Sequence, residues 1–188
     1  METQEKLPVI LTAGELERIL QVPNPRSRTG LRNLCMLRLA ANTGIKPLEL
    51  VSIRLHDINW ISGQLIVRNS DDQPDRVLWL LEEDLDLLRK WRLARPEAEI
   101  PHLFITFNGT PVNHRYIRQL VVQSARRAGV KKKISTYTLR HTFGADLYRN
   151  TRNLDLVKKA LGFQTLEPAK VYARIVEAEE AGKGIVVA

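Results

Sequence analysis

The sequence predicts an α+β fold that is mainly helical, with one small antiparallel sheet set between two groups of helices. Three observations carry that prediction. Apolar residues recur at helical spacing behind recognisable caps, first before residue 60 and again after residue 110. Two short runs rich in Val, Ile, Leu and Trp lie close together at residues 64–68 and 76–80. A chain of 188 residues with 44% hydrophobic side chains can bury one sizeable core, so a single domain over residues 1–188 is expected.

The elements follow in order. Residues 8–11 lead into Thr12-Ala-Gly-Glu15, where the Thr12 hydroxyl and the Glu15 carboxylate can each satisfy an amide left open at a helix start. A short helix with Leu16, Ile19 and Leu20 inward is expected there, broken by Pro23, Pro25 and the Thr29-Gly30 pair. A longer apolar helix is predicted from about Leu31 to Asn42, closed by Thr43-Gly44. Another short helix begins near Pro47, since proline fits a first turn, and carries Leu50 and Ile53.

The two strand-like runs are joined by a polar stretch containing Pro74, which makes a hairpin. Glu82, Glu83 and Asp84 place negative charge at the start of a helix with Leu85, Leu88 and Trp91, in accord with the helix dipole. Residues 103–106 read as a third strand, followed by an Asn108-Gly109 turn. Asn113 is a good N-cap for a helix that Gly129 should end. Three further helices are predicted, from Thr138 to about Tyr148, from Leu154 to Leu161, and from Pro168 to about Glu179.

Charge is distributed unevenly. Residues 100–145 contain no Asp or Glu but do contain Arg115, Arg118, Arg126, Arg127, Lys131, Lys132, Lys133 and Arg140, which account for the net charge of +8. At 100° per residue, Ile117, Leu120, Val121, Ala125 and Ala128 fall on one side of the helix after Asn113, and Arg115, Arg118 and Arg126 on the other. A basic stripe backed by an apolar face suits a helix docked on a core and turned toward a polyanion. A run such as Lys131 to Lys133 also occurs as a plain solvated surface.

Other classes are excluded. The single Cys35, flanked by Leu34, Met36 and Leu37, forms no internal disulfide and reads as a small hydrophobe. No Cys/His cluster has metal-ligand spacing, no apolar run approaches the roughly 20 residues needed to span a bilayer, and residues 1–6 are not a secretory leader. A soluble cytoplasmic protein is expected, nucleoid-associated in a prokaryote, with no cofactor, metal, membrane or small-molecule substrate.

The most telling pattern is Thr138-Leu-Arg-His-Thr-Phe-Gly144 followed by Leu161-Gly-Phe163 and, nine residues after Phe163, Tyr172. With Thr43-Gly-Ile-Lys-Pro-Leu-Glu-Leu50, these segments resemble the catalytic domain of the tyrosine recombinase (phage integrase) family over residues 7–175, leaving residues 176–188 as a C-terminal tail and no room for the family's N-terminal core-binding domain. The resemblance implies that family's helical fold with a small antiparallel sheet, double-stranded DNA as partner, and attack by a tyrosine on a phosphodiester without metal or nucleotide. Such chemistry needs cationic donors on the phosphate oxygens and an acid for the leaving oxygen.

Of the positions the resemblance marks as catalytic, Arg140 and Tyr172 match. Lys46 stands for the first arginine and keeps charge without the planar fork. Ser70 stands for the hairpin lysine, Tyr137 for a histidine and Phe163 for a second one. Glu49 and Asp57 fall where the family has acids, His141 matches a common family residue read as structural, and Arg68 or Arg76 either reaches inward or stays on the strand surface. Losing one preorganised donor typically slows a reaction roughly a hundred- to a thousandfold, so several replacements imply chemistry that is impaired or lost.

The sequence therefore supports a DNA-binding protein of this family that acts as a regulator or accessory factor, gripping phosphates through Arg115, Arg118, Arg126, Arg127, Lys131, Lys132, Lys133 and Arg140. The alternative is an active compact recombinase that forms a 3′-phosphotyrosine through Tyr172 and has rebuilt its site with Lys46, Tyr137 and either Lys158 or Lys159. A basic face also suits RNA, although that leaves the recombinase spacing unexplained. Self-association is expected through the apolar, glycine-hinged end at residues 182–188.

Overall fold

The computed structural model describes residues 7–68 and 74–182. The chain runs α1 (Ala13–Leu20), α2 (Arg28–Thr43), α3 (Pro47–Ser52), β1 (Gln64–Val67), β2 (Arg76–Trp79), α4 (Glu82–Ala94), α5 (His114–Arg127), α6 (Thr136–Thr151), α7 (Leu154–Leu161) and α8 (Lys170–Glu180), with 3₁₀ turns at Leu55–Asp57 and Glu167–Ala169. The predicted α+β, mainly helical class holds. β1 and β2 form a two-stranded antiparallel sheet with Leu65 opposite Leu78. No helix among the described residues is long and apolar enough to cross a membrane.

Local rules account for most element ends. At α1 the Glu15 N–H donates to Thr12 Oγ1 at 3.2 Å and the Thr12 N–H to Glu15 Oε2 at 2.9 Å, the reciprocal cap the sequence predicts. Asn113 Oδ1 accepts from the Tyr116 N–H at 2.9 Å, and Gly129 follows α5 with a φ of 70°. α2 differs, starting at Arg28, because Ser27 Oγ caps the Gly30 N–H. Gly30, read above as part of a break, lies inside the first turn, where a Cβ would stand 1.9 Å from the Asn24 carbonyl oxygen. α6 also starts earlier and ends later than predicted, and Pro168 lies in a 3₁₀ turn before α8 rather than inside the helix.

The expected third strand at residues 103–106 does not form. Leu103, Phe104 and Ile105 are fully buried; side chains from the helices take the first and last of their carbonyls, and the Val112 N–H takes that of Phe104 at 3.1 Å. Trp91 Nε1 donates to Leu103 O at 3.0 Å, and Arg32 Nη1 to Ile105 O at 2.8 Å. Only isolated bridges remain, such as Ile105 with Pro111. A continuous apolar run cannot by itself distinguish a buried strand from a buried extended segment satisfied in this way.

Two apolar clusters result. The larger joins α2, α4, α5 and the sheet around Leu39, Leu65, Leu88, Trp91 and Val121. Cys35 is buried in it, and burial pushes its thiol pKa up, as suits an inert packing residue. The smaller gathers Ile10, Ala145, Val157, Leu161, Ala169, Tyr172 and Ile175 between α6, α7 and α8. α6 lies between the clusters, with Leu139 in one and Ala145 in the other, which sets Arg140 at their boundary.

Candidate tyrosine site and nucleic-acid interface

The motif glycines act through helix ends. Gly44 and Gly162 adopt left-handed conformations, with φ of 62° and 70°, and terminate α2 and α7. The carbonyls freed at these two ends converge on one side chain. Arg140, only 4% exposed, donates from Nη1 to Gly44 O and from Nη2 to Leu161 O, both at 2.7 Å. Its guanidinium also lies 5.2 Å from the centroid of the Phe163 ring, a cation–π distance. Burial lowers the pKa of Arg140, while the nearby Tyr172 and Glu49 oppose that shift.

Tyr172 is 1% exposed, and its hydroxyl lies 3.2 Å from His141 Nδ1. Its ring rests on Gly144, where a Cβ would come within 2.5 Å of the aromatic edge. Burial pushes the phenol up to about 12, against the pull of the Arg140 charge. Burial, and then Arg140, lower the pKa of His141. α6 thus presents Arg140, His141 and Gly144 to the site, and α8 supplies the tyrosine.

The two acidic positions bind Arg76, which opens β2, and Arg68, which follows β1. Arg76 turns inward, with its side chain 11% exposed and Glu49 8%, and forms a two-pronged pair with both Glu49 oxygens at 2.8 Å. Its Nε donates to Ala160 O at 3.1 Å. Burial raises the Glu49 carboxyl, but the Arg76 fork, the Lys46 N–H at 2.7 Å and the Lys46 charge together hold it below its ordinary value. Arg68, half exposed, donates to Asp57 Oδ1 at 2.8 Å.

Not every predicted residue converges. Lys46 sits at the start of α3, half-buried. Tyr137 is 49% exposed at the start of α6, and Ser70 and the tail at 183–188 lie outside the described residues. Lys158 and Lys159 line an open cavity of about 680 Å³ with Arg76, Trp79, Phe143 and Phe163. Sequence reading assigned His141 a structural role and missed its bond to Tyr172. The available signal was the stripe His141, Gly144, Ala145 on one face of α6.

The basic face of α5 forms as predicted. Ile117, Val121 and Ala125 are buried, while Arg115, Arg118, Arg126 and Arg127 are exposed. Among the described residues none of these four makes an ion pair, and the same holds for the exposed Lys131 and Lys133. Lys132 is different. Its ammonium donates to Glu15 Oε2 at 2.6 Å and Ile10 O at 3.0 Å, tying the N-terminal segment to the loop before α6.

Residues 10–179 match the pattern of the Phage integrase family. The chain belongs to that family. It is 27% identical over 181 residues to the tyrosine recombinase XerD of Staphylococcus aureus (strain N315), covering 93% of this chain and 61% of that protein. The XerD of Staphylococcus saprophyticus is 28% identical over 180 residues and is 60% covered. This integrase-family chain thus spans about 60% of the length of such relatives. Among solved structures, the XerH site-specific recombinase in a post-cleavage complex with palindromic difH substrate aligns with a TM-score of 0.84 at 25% identity, covering 95% of this chain and 54% of that one. XerA recombinase aligns at 0.80 and 21% identity, with coverage of 95% and 66%, a likeness of fold.

Proposed function

We propose that this chain binds double-stranded DNA on the catalytic-domain fold of the integrase family and that its strand-exchange chemistry is impaired or lost. The observation that carries the binding is the row of exposed arginines on α5, without an ion pair among the described residues and flanked by Lys131 and Lys133. Exposed cations on a helix whose Ile117 and Val121 are buried in the core are available to phosphate oxygens. XerH, whose fold this chain shares, has been solved bound to palindromic difH substrate, and the Tn1549 transposon integrase, which aligns with a TM-score of 0.75 at 19% identity, in complex with a circular intermediate DNA, which supports duplex DNA as the polyanion. Acting on DNA also supports a cytoplasmic, nucleoid-associated location, and the tail at 182–188 remains our candidate for self-association.

Support for impaired chemistry comes from the side chains. Phe163 offers a ring face to Arg140 but no proton, and Tyr137 stands half exposed. Lys46 supplies a point charge where a fork would grip two oxygens. Binding to duplex DNA should weaken steeply with salt. Replacing Arg115, Arg118 and Arg126 with Ala should flatten log affinity against log salt by roughly 0.9 per lost phosphate contact, and an unchanged slope rules this face out.

A second reading, an active recombinase, is favoured by one observation: Arg140, His141 and Tyr172 meet at one site. Nicked suicide substrates separate the two readings, provided specific binding to the fragment is demonstrated. No covalent adduct is expected. An adduct that Tyr172→Phe abolishes establishes the enzyme.

A further inference from the structure

With Tyr172 buried to 1% exposure, its hydroxyl hydrogen needs an acceptor inside the protein. Among the described residues the hydroxyl's partner is His141 Nδ1 at 3.2 Å. The rings are tilted by 43° with centroids 5.9 Å apart, so they meet through nitrogen and oxygen rather than by stacking. Two arrangements satisfy that distance. Either the phenol donates to a bare Nδ1, or a protonated Nδ1 donates to the phenolic oxygen.

The second arrangement leaves the phenolic hydrogen of a buried tyrosine without an acceptor among the described residues and forfeits a buried hydrogen bond. The first leaves the imidazole hydrogen on Nε2 of a ring that is only partly buried, where water can accept it. Burial and the adjacent Arg140 both disfavour the imidazolium, so the ring keeps one bare nitrogen.

On the reading that Tyr172 occupies the aligned nucleophile position, we propose that His141 is its positioning residue, the neutral Nε2–H tautomer accepting the phenolic hydrogen on Nδ1 and fixing the direction of Oη. The pair then holds the phenol protonated and turned toward α6 before any DNA is present. It also places a proton acceptor beside the tyrosine in a site where Phe163 supplies none.

The test is nitrogen-15 NMR of the histidine-labelled full chain, compared with Tyr172→Phe. The expected result is a His141 Nδ1 that is unprotonated and hydrogen-bonded, whose resonance moves toward that of a free bare nitrogen in Tyr172→Phe while Nε2 stays protonated. A protonated Nδ1 in the unmodified chain, or an Nδ1 resonance unmoved by Tyr172→Phe, overturns the proposal. A second readout is the Tyr172 hydroxyl proton, which should be protected from exchange in the unmodified chain and in His141→Gln, whose amide oxygen can accept it, and lost in His141→Leu. Protection that survives in His141→Leu overturns it equally. Neither measurement uses DNA or cleavage, so a chain that failed to bind DNA would refute the proposed function and leave this pair standing.

Discussion

Arg140 and Arg76 are turned inward and meet carbonyls, a carboxylate and an aromatic ring of their own chain, whereas Arg115, Arg118 and Arg126 stand exposed on α5 without an ion pair among the described residues. The same side-chain chemistry does two different jobs. A buried cation must be satisfied or it unfolds its surroundings, so the inward arginines are part of the fold. The outward ones add little to stability and are free for a ligand. Arg140 therefore has a structural reason to be here whether or not the site turns over, and the Thr-Gly and Leu-Gly pairs share that reason because they aim its two carbonyls.

The sharpest way to break this comparison is Arg140→Met. It leaves the Gly44 and Leu161 carbonyls without donors at about 1–3 kcal/mol each, so a loss of roughly 3–5 kcal/mol is expected in urea denaturation. A loss under about 1 kcal/mol would mean that Arg140 is held for chemistry alone. Glu49→Gln should follow at about 3 kcal/mol, because Arg76 is left buried beside a neutral amide.

Glu49 also sharpens the comparison through pH. Its carboxyl is held below the ordinary 4.5, so its contribution is fully present above that value and disappears as pH falls through the lower folded pKa. In Glu49→Gln this part of the acid dependence should vanish. At the alkaline end the sign reverses. Tyr172 ionises near 12 in the fold against 10 when exposed, so its contribution is present below pH 10 and lost as pH rises toward 12. Two pKa units amount to about 3 kcal/mol at most, and Tyr172→Phe should flatten that decline in a pH series of thermal melts.

The smallest expected effect is on the other side of the comparison. Arg115, Arg118 and Arg126 changed together to Ala should alter stability by less than about 0.5 kcal/mol per site even as DNA affinity drops. A large destabilisation would show that the face is bound up in the fold after all.

How much was legible in advance can be seen at particular residues. The Thr12–Glu15 cap, the Asn113 cap, the ends at Gly44 and Gly162, and the two faces of α5 were readable because each is set by groups within a few residues of one another. Residues 103–106 were misread because burial and side-chain donors, Trp91 12 positions away and Arg32 73 positions away, decided their conformation. Gly30 was misread because its need for space comes from the backbone of the preceding loop, not from its own turn.

The sequence by itself determined the fold class, the position of the basic helix, and the spacing of Lys46, Arg140, Phe163 and Tyr172, since periodicity, capping and charge run along the chain. Only the tertiary structure decided which partner each polar group took. Arg140 reaches Gly44 across 96 positions, Arg76 reaches Glu49 across 27, and His141 meets Tyr172 across 31. The physical reason is that a hydrogen bond to a buried charge depends on distance and desolvation at one point in space, and neither is fixed until the helices have packed.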